Sequence, residues 1–78
     1  MKIKVTAEDI KRGKRQDCWR DPVARAARRA TSKSAWVGYF TMGLDGRKAR
    51  KLPKKVASFV SRFDAGKPVK PFSFEIDL

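Results

Sequence analysis

The feature that most constrains the fold is a change of apolar spacing in the last third of the chain. After Pro53, four apolar residues recur at the spacing of one helix face. Gly66 ends this predicted helix in the left-handed conformation, and residues 72–78 alternate apolar and polar, which predicts a strand. The predicted core combines the helix stripe with one side of that strand: Val56, Phe59, Val60, Phe63, Phe72, Phe74, Ile76 and Leu78.

Start signals in the first half of the chain predict a strand followed by two short helices. Residues 2–5 alternate polar and apolar, as a half-buried strand does. Thr6 and Asp9 then form the pattern of a capping box, and Gly13 is expected to end this helix in the left-handed conformation. Asp21, followed by a proline, caps a second helix. Its predicted apolar face comprises Val23, Ala26, Ala27 and Ala30.

Residues 35–52 are expected to form two strands joined by a turn. Residues 35–42 are rich in aromatic and β-branched side chains, and the Asp45-Gly46 pair that follows is typical of hairpin turns. Residues 47–52 carry four cations around one alanine, so this strand is predicted to lie at a sheet edge. The sequence therefore predicts a small single α+β domain over residues 1–78 with the order β-α-α-β-β-α-β. A mostly antiparallel sheet is expected, with helices on one face and the outermost strands paired near its centre.

The net charge of +12 indicates an anionic partner. The chain has 20 Lys and Arg against 8 Asp and Glu, and the self-repulsion of such an excess is either relieved by an anionic partner or tolerated by the fold. The densest run lies between residues 47 and 55: Arg47, Lys48, Arg50, Lys51, Lys54 and Lys55. This run predicts a ridge that follows phosphates, although a lysine-rich edge strand that blocks aggregation would have the same composition.

A second basic group lies on the predicted second helix, with Arg25, Arg28 and Arg29 expected to point away from the core. These arginines are either a second binding surface for phosphates or only the solvated face of the helix. Trp19 and Trp36 could stack on nucleobases, as aromatic residues among cations do in single-strand binding proteins. Packing at the boundary of the core is the preferred interpretation for both tryptophans.

Several classes of function are excluded by residues that the chain lacks. It has no histidine and one cysteine, Cys18, which leaves no intrachain disulfide, no zinc-ligand cluster and no ordinary base to activate the thiol. Cys18 is expected to be a half-buried structural residue. We therefore predict a protein without catalytic residues, cofactor or metal. No apolar run approaches the roughly 18 residues of a membrane span, so no membrane-spanning segment is expected. The single cysteine suits a reducing cytoplasm, and the chain is predicted to be a monomer.

The ordered elements carry a resemblance that runs nearly from end to end. The segments concerned are Val5-Thr6-Ala7-Glu8-Asp9-Ile10, Arg12-Gly13, Asp17-Cys18 leading to Pro22-Val23-Ala24, Phe63-Asp64-Ala65-Gly66, Val69, Pro71-Phe72 and Phe74. In these segments the chain resembles a small family of poorly characterised proteins of phages and prophages. Relatives often carry a second cysteine where this chain has Asp21, so no metal or disulfide role is carried over.

The resemblance implies a function in overcoming host defence. The chain looks like an anti-CRISPR protein directed at a type I effector, which implies a non-catalytic inhibitor that binds a crRNA-guided surveillance complex in the bacterial cytoplasm. Such an inhibitor would block DNA recognition or nuclease recruitment. The charge argues against DNA mimicry, because mimics are acidic, so the inhibitor is expected to contact an acidic protein surface, guide RNA or target DNA. The alternative is a phage accessory protein that uses the same basic surface to bind nucleic acid directly and without sequence preference.

Overall fold

The computed structural model of this protein describes residues 1–77 and confirms a small α+β domain. The helices are α1 (Ala7–Arg12), α2 (Pro22–Thr31) and α3 (Lys54–Asp64). The strands are β1 (Lys2–Val5), β2 (Ala35–Val37), β3 (Thr41–Leu44), β4 (Arg50–Lys51) and β5 (Phe72–Glu75). The order of helices and strands agrees with the prediction apart from one additional short strand between α2 and α3, and the three helices begin where their start signals indicated.

The predicted strand over residues 35–42 is divided in the structure. The Gly38 N–H donates to the Thr41 carbonyl at 2.8 Å, and the chain turns there between β2 and β3. The predicted turn at Asp45-Gly46 is present and leads to β4, which covers only two of the six residues expected. A tight turn after Gly38 therefore adds a short strand to this part of the chain.

The strands form two separate antiparallel sheets. The first and last strands, β1 and β5, pair as predicted, with Ile3 opposite Phe74. The other sheet has the order β2-β3-β4, so the expectation that all strands share one sheet is wrong. The physical reason is α2, which packs against both β1 and β2 and so joins the sheets through side chains. Its alanines are small enough for this close approach, and three of them are at most 1% exposed: Ala24, Ala26 and Ala27.

The core is built as the apolar spacing predicted. All four residues of the α3 stripe are buried, together with Phe74 and Ile76 of the last strand and its extension. The Phe72 ring is half-buried and lies 4.8 Å from the Phe59 ring, centroid to centroid, which joins α3 to β5. Leu78, also predicted for this core, lies outside the described residues. On α2, Val23 is buried as expected, whereas Ala30 is exposed.

The caps of α1 combine a confirmed prediction with a wrong one. The Asp9 N–H donates to Thr6 Oγ1 at 3.2 Å, and the Thr6 N–H donates to Asp9 Oδ2 at 2.9 Å, which is the predicted capping box. Gly13 ends α1, but its φ of −67° and ψ of 155° are extended, not left-handed. A Cβ at Gly13 would lie 2.7 Å from the Pro22 ring, so glycine is needed there for close approach to α2. Gly66, with φ of 78°, does adopt the predicted left-handed conformation.

Phe59→Ala or Phe74→Ala should destabilise the protein by about 3–5 kcal/mol, because each removes a large side chain from a buried cluster that cannot fully collapse. Chemical denaturation monitored by circular dichroism measures this loss of unfolding free energy. Phe40→Ala is the matched control, because this ring is 77% exposed, and its cost should stay within about 0.5 kcal/mol. A loss below about 1 kcal/mol at both buried positions would show that this core assignment is wrong.

Candidate nucleic-acid interface

Six cations form one exposed edge of the protein, here called the basic ridge. Its members are Arg47, Lys48, Arg50, Lys51, Lys54 and Lys55, and every one is exposed. They lie in sequence on the β3–β4 loop, on β4 and on the first turn of α3. Among residues 1–77, β4 pairs only with β3, so the predicted edge position is confirmed. The ridge therefore follows the outer edge of the three-stranded sheet and continues onto a helix start.

The lysines of the basic ridge are not neutralised by neighbouring acids. Within residues 1–77 the ion pairs involve the N-terminus, Arg12, Arg25 and Arg29, and none involves a ridge lysine. Arg50 differs, because its Nε–H donates to the Asp77 carbonyl at 3.0 Å and so holds this side chain against the end of the chain. The lysines can thus exchange their solvent counterions for phosphates.

The start of α3 is favourable to an anion. Pro53 occupies the N-cap and offers no side-chain hydrogen bond, and the first turn contains no acidic residue. Lys54 and Lys55 stand where acids are normally preferred, although cations oppose the positive end of the helix dipole. The first turn of α3 thus combines the backbone N–H groups of a helix start with two exposed lysines, a composition that suits phosphate oxygens.

Two arginines of α2 contact a buried carboxylate. The Arg29 guanidinium donates to both Asp9 oxygens at 2.7 Å and to the Lys4 carbonyl at 2.8 Å. Arg25 Nε lies 3.5 Å from Asp9 Oδ1, and the Asp9 side chain is fully buried. Arg29 is exposed, as expected for a residue away from the apolar core, although its guanidinium reaches the buried Asp9. Arg25 is half-buried, so the expectation is wrong there, because a buried carboxylate requires cationic partners.

Arg28 also has a role in the fold. Its Nη1 donates to the Trp19 carbonyl and, at 3.3 Å, to the Ala35 carbonyl. The residue thereby joins α2 to the loop before it and to the start of β2. Binding of a partner by Arg25, Arg28 and Arg29 stays a prediction, and the structure gives all three contacts within the protein.

The pKa of Asp9 reflects its position. Burial alone would raise this pKa, but the hydrogen bonds from Arg29 and Thr6 outweigh burial and lower it from 3.8 to about 2. A carboxyl whose pKa is lower in the folded state stabilises the fold above its unfolded pKa and loses that contribution as the pH falls toward 2. Asp9 therefore contributes to the fold as a charged group at neutral pH.

A small cavity near the loop before α2 is lined by three of the eight acidic residues of this basic protein. Asp17, Asp21 and Asp64 line it together with Cys18 and Tyr39, in a volume of about 150 Å³. Each acid accepts from the backbone: Asp17 from Trp19 and Arg20, Asp21 from Val23, and Asp64 from Gln16. These carboxylates hold the loop in place. Cys18 is exposed there, so the predicted half-buried thiol is wrong.

The aromatic side chains divide between packing and exposure. Trp36 is half-buried and lies against Gly43, where an added Cβ would be 2.5 Å from the indole Nε1. Packing is thus confirmed for Trp36, whereas Trp19 is 54% exposed and the packing prediction is wrong there. Tyr39 and Phe40 are 61% and 77% exposed. Neither residue was among the predicted site residues, although Gly38 before them was a signal for a turn.

Comparison of the chain with protein-family models, with curated proteins and with solved structures found no match. The resemblance to a phage family and the inhibitor function stay predictions. Among residues 1–77, no helix combines the length and apolar character needed to cross a membrane. No cluster of three or more Cys, Asp or Glu in this range could hold a metal ion.

Arg29→Ala should lower the free energy of unfolding by about 2 kcal/mol, because it leaves the buried Asp9 carboxylate without its two-pronged partner. This is less than the 3–5 kcal/mol typical of a broken buried pair, since Arg29 is 51% exposed and water can partly replace it. Arg12→Ala, which removes an exposed pair with Glu8, is the control and should cost much less. Equal effects of the two changes in urea unfolding would contradict the structural role of Arg29.

Asp21 should make the protein less stable as the pH rises from about 4 to 7. Burial raises the pKa of Asp21 from 3.8 to about 6, and the nearby Asp64 charge adds to this shift. A carboxyl with a raised folded pKa binds more protons in the folded than in the unfolded state over this interval, so stability declines by about 3 kcal/mol. Asp21→Asn should remove the decline in denaturation curves recorded across the interval, and Asp45→Asn should retain it. Parallel pH profiles for Asp21→Asn and the wild type would refute this role.

Proposed function

We propose that this protein is a non-catalytic nucleic-acid-binding protein whose basic ridge contacts the phosphate backbone without reading base sequence. The observation that carries the proposal is the continuous exposed ridge, in which four lysines have no ion pair among the described residues. Contacts of this kind release the counterions condensed on nucleic acid, which is the main source of non-specific affinity.

Protection of a sheet edge explains this ridge less well. β4 has only two residues, and an edge that short offers little backbone for another strand to pair with. Lys54 and Lys55 lie beyond the strand, at a helix start where they are electrostatically unfavourable without an anion. The distribution of charge along loop, strand and helix thus favours a binding surface.

The inhibitor function is a narrower form of the same proposal. A protein that binds phosphates through the basic ridge could act on a crRNA-guided type I surveillance complex by contacting its guide RNA or its target DNA. The net charge of +12 favours these contacts over mimicry of DNA. Direct binding to free nucleic acid is the broader activity, and titration against the complex and against free nucleic acid separates the two.

Lys48→Glu combined with Lys51→Glu should weaken binding to a fluorescent DNA duplex at least tenfold, or about 1.4 kcal/mol. The log–log dependence of affinity on salt should become shallower by about 0.9 for each phosphate that the variant no longer neutralises. Thermal stability should hardly change, because both side chains are exposed. Fluorescence anisotropy across a salt series measures the binding.

The matched control is Lys14→Glu combined with Lys67→Glu, which changes the net charge equally away from the ridge. Lys67 follows the end of α3, and the Arg15 side chain next to Lys14 lies 3.5 Å from an added Cβ at Gly66. The control pair therefore lies at the opposite end of α3 from Lys54 and Lys55. Equal loss in both double variants would mean that only net charge matters and would contradict a defined ridge.

Titration of the same variants against a purified type I surveillance complex identifies the partner. Tight binding to the complex with little affinity for free duplex or guide RNA would contradict direct nucleic-acid binding by the basic ridge and would favour the inhibitor function in its place. Comparable affinity for free nucleic acid supports the accessory function. Failure of the wild type to bind any of these would overturn the proposal.

A further inference from the structure

The outward face of the three-stranded sheet carries an indole platform. Trp36 on β2 is opposite Gly43 on β3, and the absence of a side chain at Gly43 leaves room for the indole to lie against the strand. The ring also reaches toward Gly38, where an added Cβ would be 3.8 Å from its Cζ3. Trp36 thus extends from the middle of the sheet to the turn that carries Tyr39 and Phe40.

Trp19 extends this platform on one side. It lines a cavity of about 240 Å³ with Trp36, and the walls are completed by Ser34, Leu44, Asp45 and Gly46. The loop that holds Trp19 is fixed beside β2, because the Val37 N–H donates to the Cys18 carbonyl at 2.8 Å. The exposed indole is therefore presented on a fixed backbone next to Trp36.

Phe40 connects the aromatic residues with the basic ridge. The Leu52 N–H donates to the Phe40 carbonyl at 2.8 Å, directly after β4, and Lys51 is opposite Thr41 in the sheet. The aromatic face is defined as Trp19, Trp36 and Phe40, whereas Tyr39 lines the cavity that contains Asp17, Asp21 and Asp64. Its phenylalanine end is adjacent in the strand ladder to a ridge lysine.

Exposed aromatic side chains in a monomer indicate an interaction surface, and charge decides among its possible occupants. The ridge next to the face attracts polyanions, while an apolar protein surface would bring no partner for the lysines. A nucleic-acid strand offers both phosphates and flat bases. In a duplex the bases already stack on one another, so only unpaired bases can stack on aromatic side chains.

We propose that the aromatic face and the basic ridge together bind single-stranded nucleic acid, with unpaired bases stacked on Trp19, Trp36 and Phe40. This inference rests on the proposed function and specifies its substrate class. Asp45 is an exposed carboxylate in the cavity between the tryptophans, so the phosphates are expected on the β4 side, near Lys48 and Lys51. The protein should therefore prefer a single strand to a duplex of the same length.

Affinities for thymidine and uridine oligonucleotides and for a duplex test this preference. Trp19→Leu and Phe40→Leu should each weaken single-strand binding about tenfold and leave duplex binding unchanged, since leucine retains apolar surface but cannot stack. Trp19→Phe and Phe40→Tyr are the matched controls and should retain most of the affinity. Both native side chains are more than half exposed, so all four variants should fold.

Tryptophan fluorescence gives an independent measurement of stacking. Trp36→Phe leaves Trp19 as the single tryptophan of the chain, and single-strand binding should quench its emission while duplex binding should not. Equal affinity for strand and duplex, no quenching, and no effect of the leucine variants would overturn the inference while leaving the proposed function intact. Binding to neither form of nucleic acid would overturn both.

Discussion

The rest of the structure depends on one buried carboxylate, that of Asp9. Its oxygens accept from Thr6 at the start of α1 and from Arg29 on α2, and the same guanidinium donates to the Lys4 carbonyl of β1. A fully buried anion is tolerated only with such partners, so three elements are held in one arrangement. That arrangement fixes α2 against β1, and β2 packs against another part of the α2 surface.

This constraint divides the cations of the chain into two groups with different roles. The α2 arginines are long, planar donors that satisfy a carboxylate and several backbone carbonyls, which suits arginine better than lysine. The ridge lysines lie on a loop, a two-residue strand and a helix start, where nothing in residues 1–77 neutralises them. The excess charge is therefore not spread evenly, and the part available to a partner lies on one edge.

Local signals in the sequence predicted the elements well, and contacts between distant residues escaped prediction. The Thr6–Asp9 capping box, the Asp21 cap and the α3 stripe each depend on neighbours within a few residues, so spacing alone reveals them. The Arg29–Asp9 contact joins positions 20 residues apart, and its arginine has the same sequence pattern as a solvated helix face. The cations of the basic ridge lie within nine residues, so their spacing in the sequence predicts them, whereas exposure of Trp19 depends on how the loop lies beside β2. The prediction of a left-handed Gly13 is wrong for the same reason, because glycine at this position is explained by the close approach of Pro22, a residue further along the chain.

The separation of the two sheets creates the surface on which function is proposed. Because β1 and β5 pair with each other, the second sheet consists of the short strands β2, β3 and β4 alone. Its side chains turned toward the core are Ala35, Val37, Met42 and Leu44. Strand alternation then places Trp36, Gly43, Thr41 and Lys51 on the opposite side. A large indole on that side needs a position without a Cβ beneath it, and Gly43 supplies it. The same alternation that buries the apolar residues of this sheet thus brings an aromatic platform and a lysine to one face, next to the edge that carries the basic ridge.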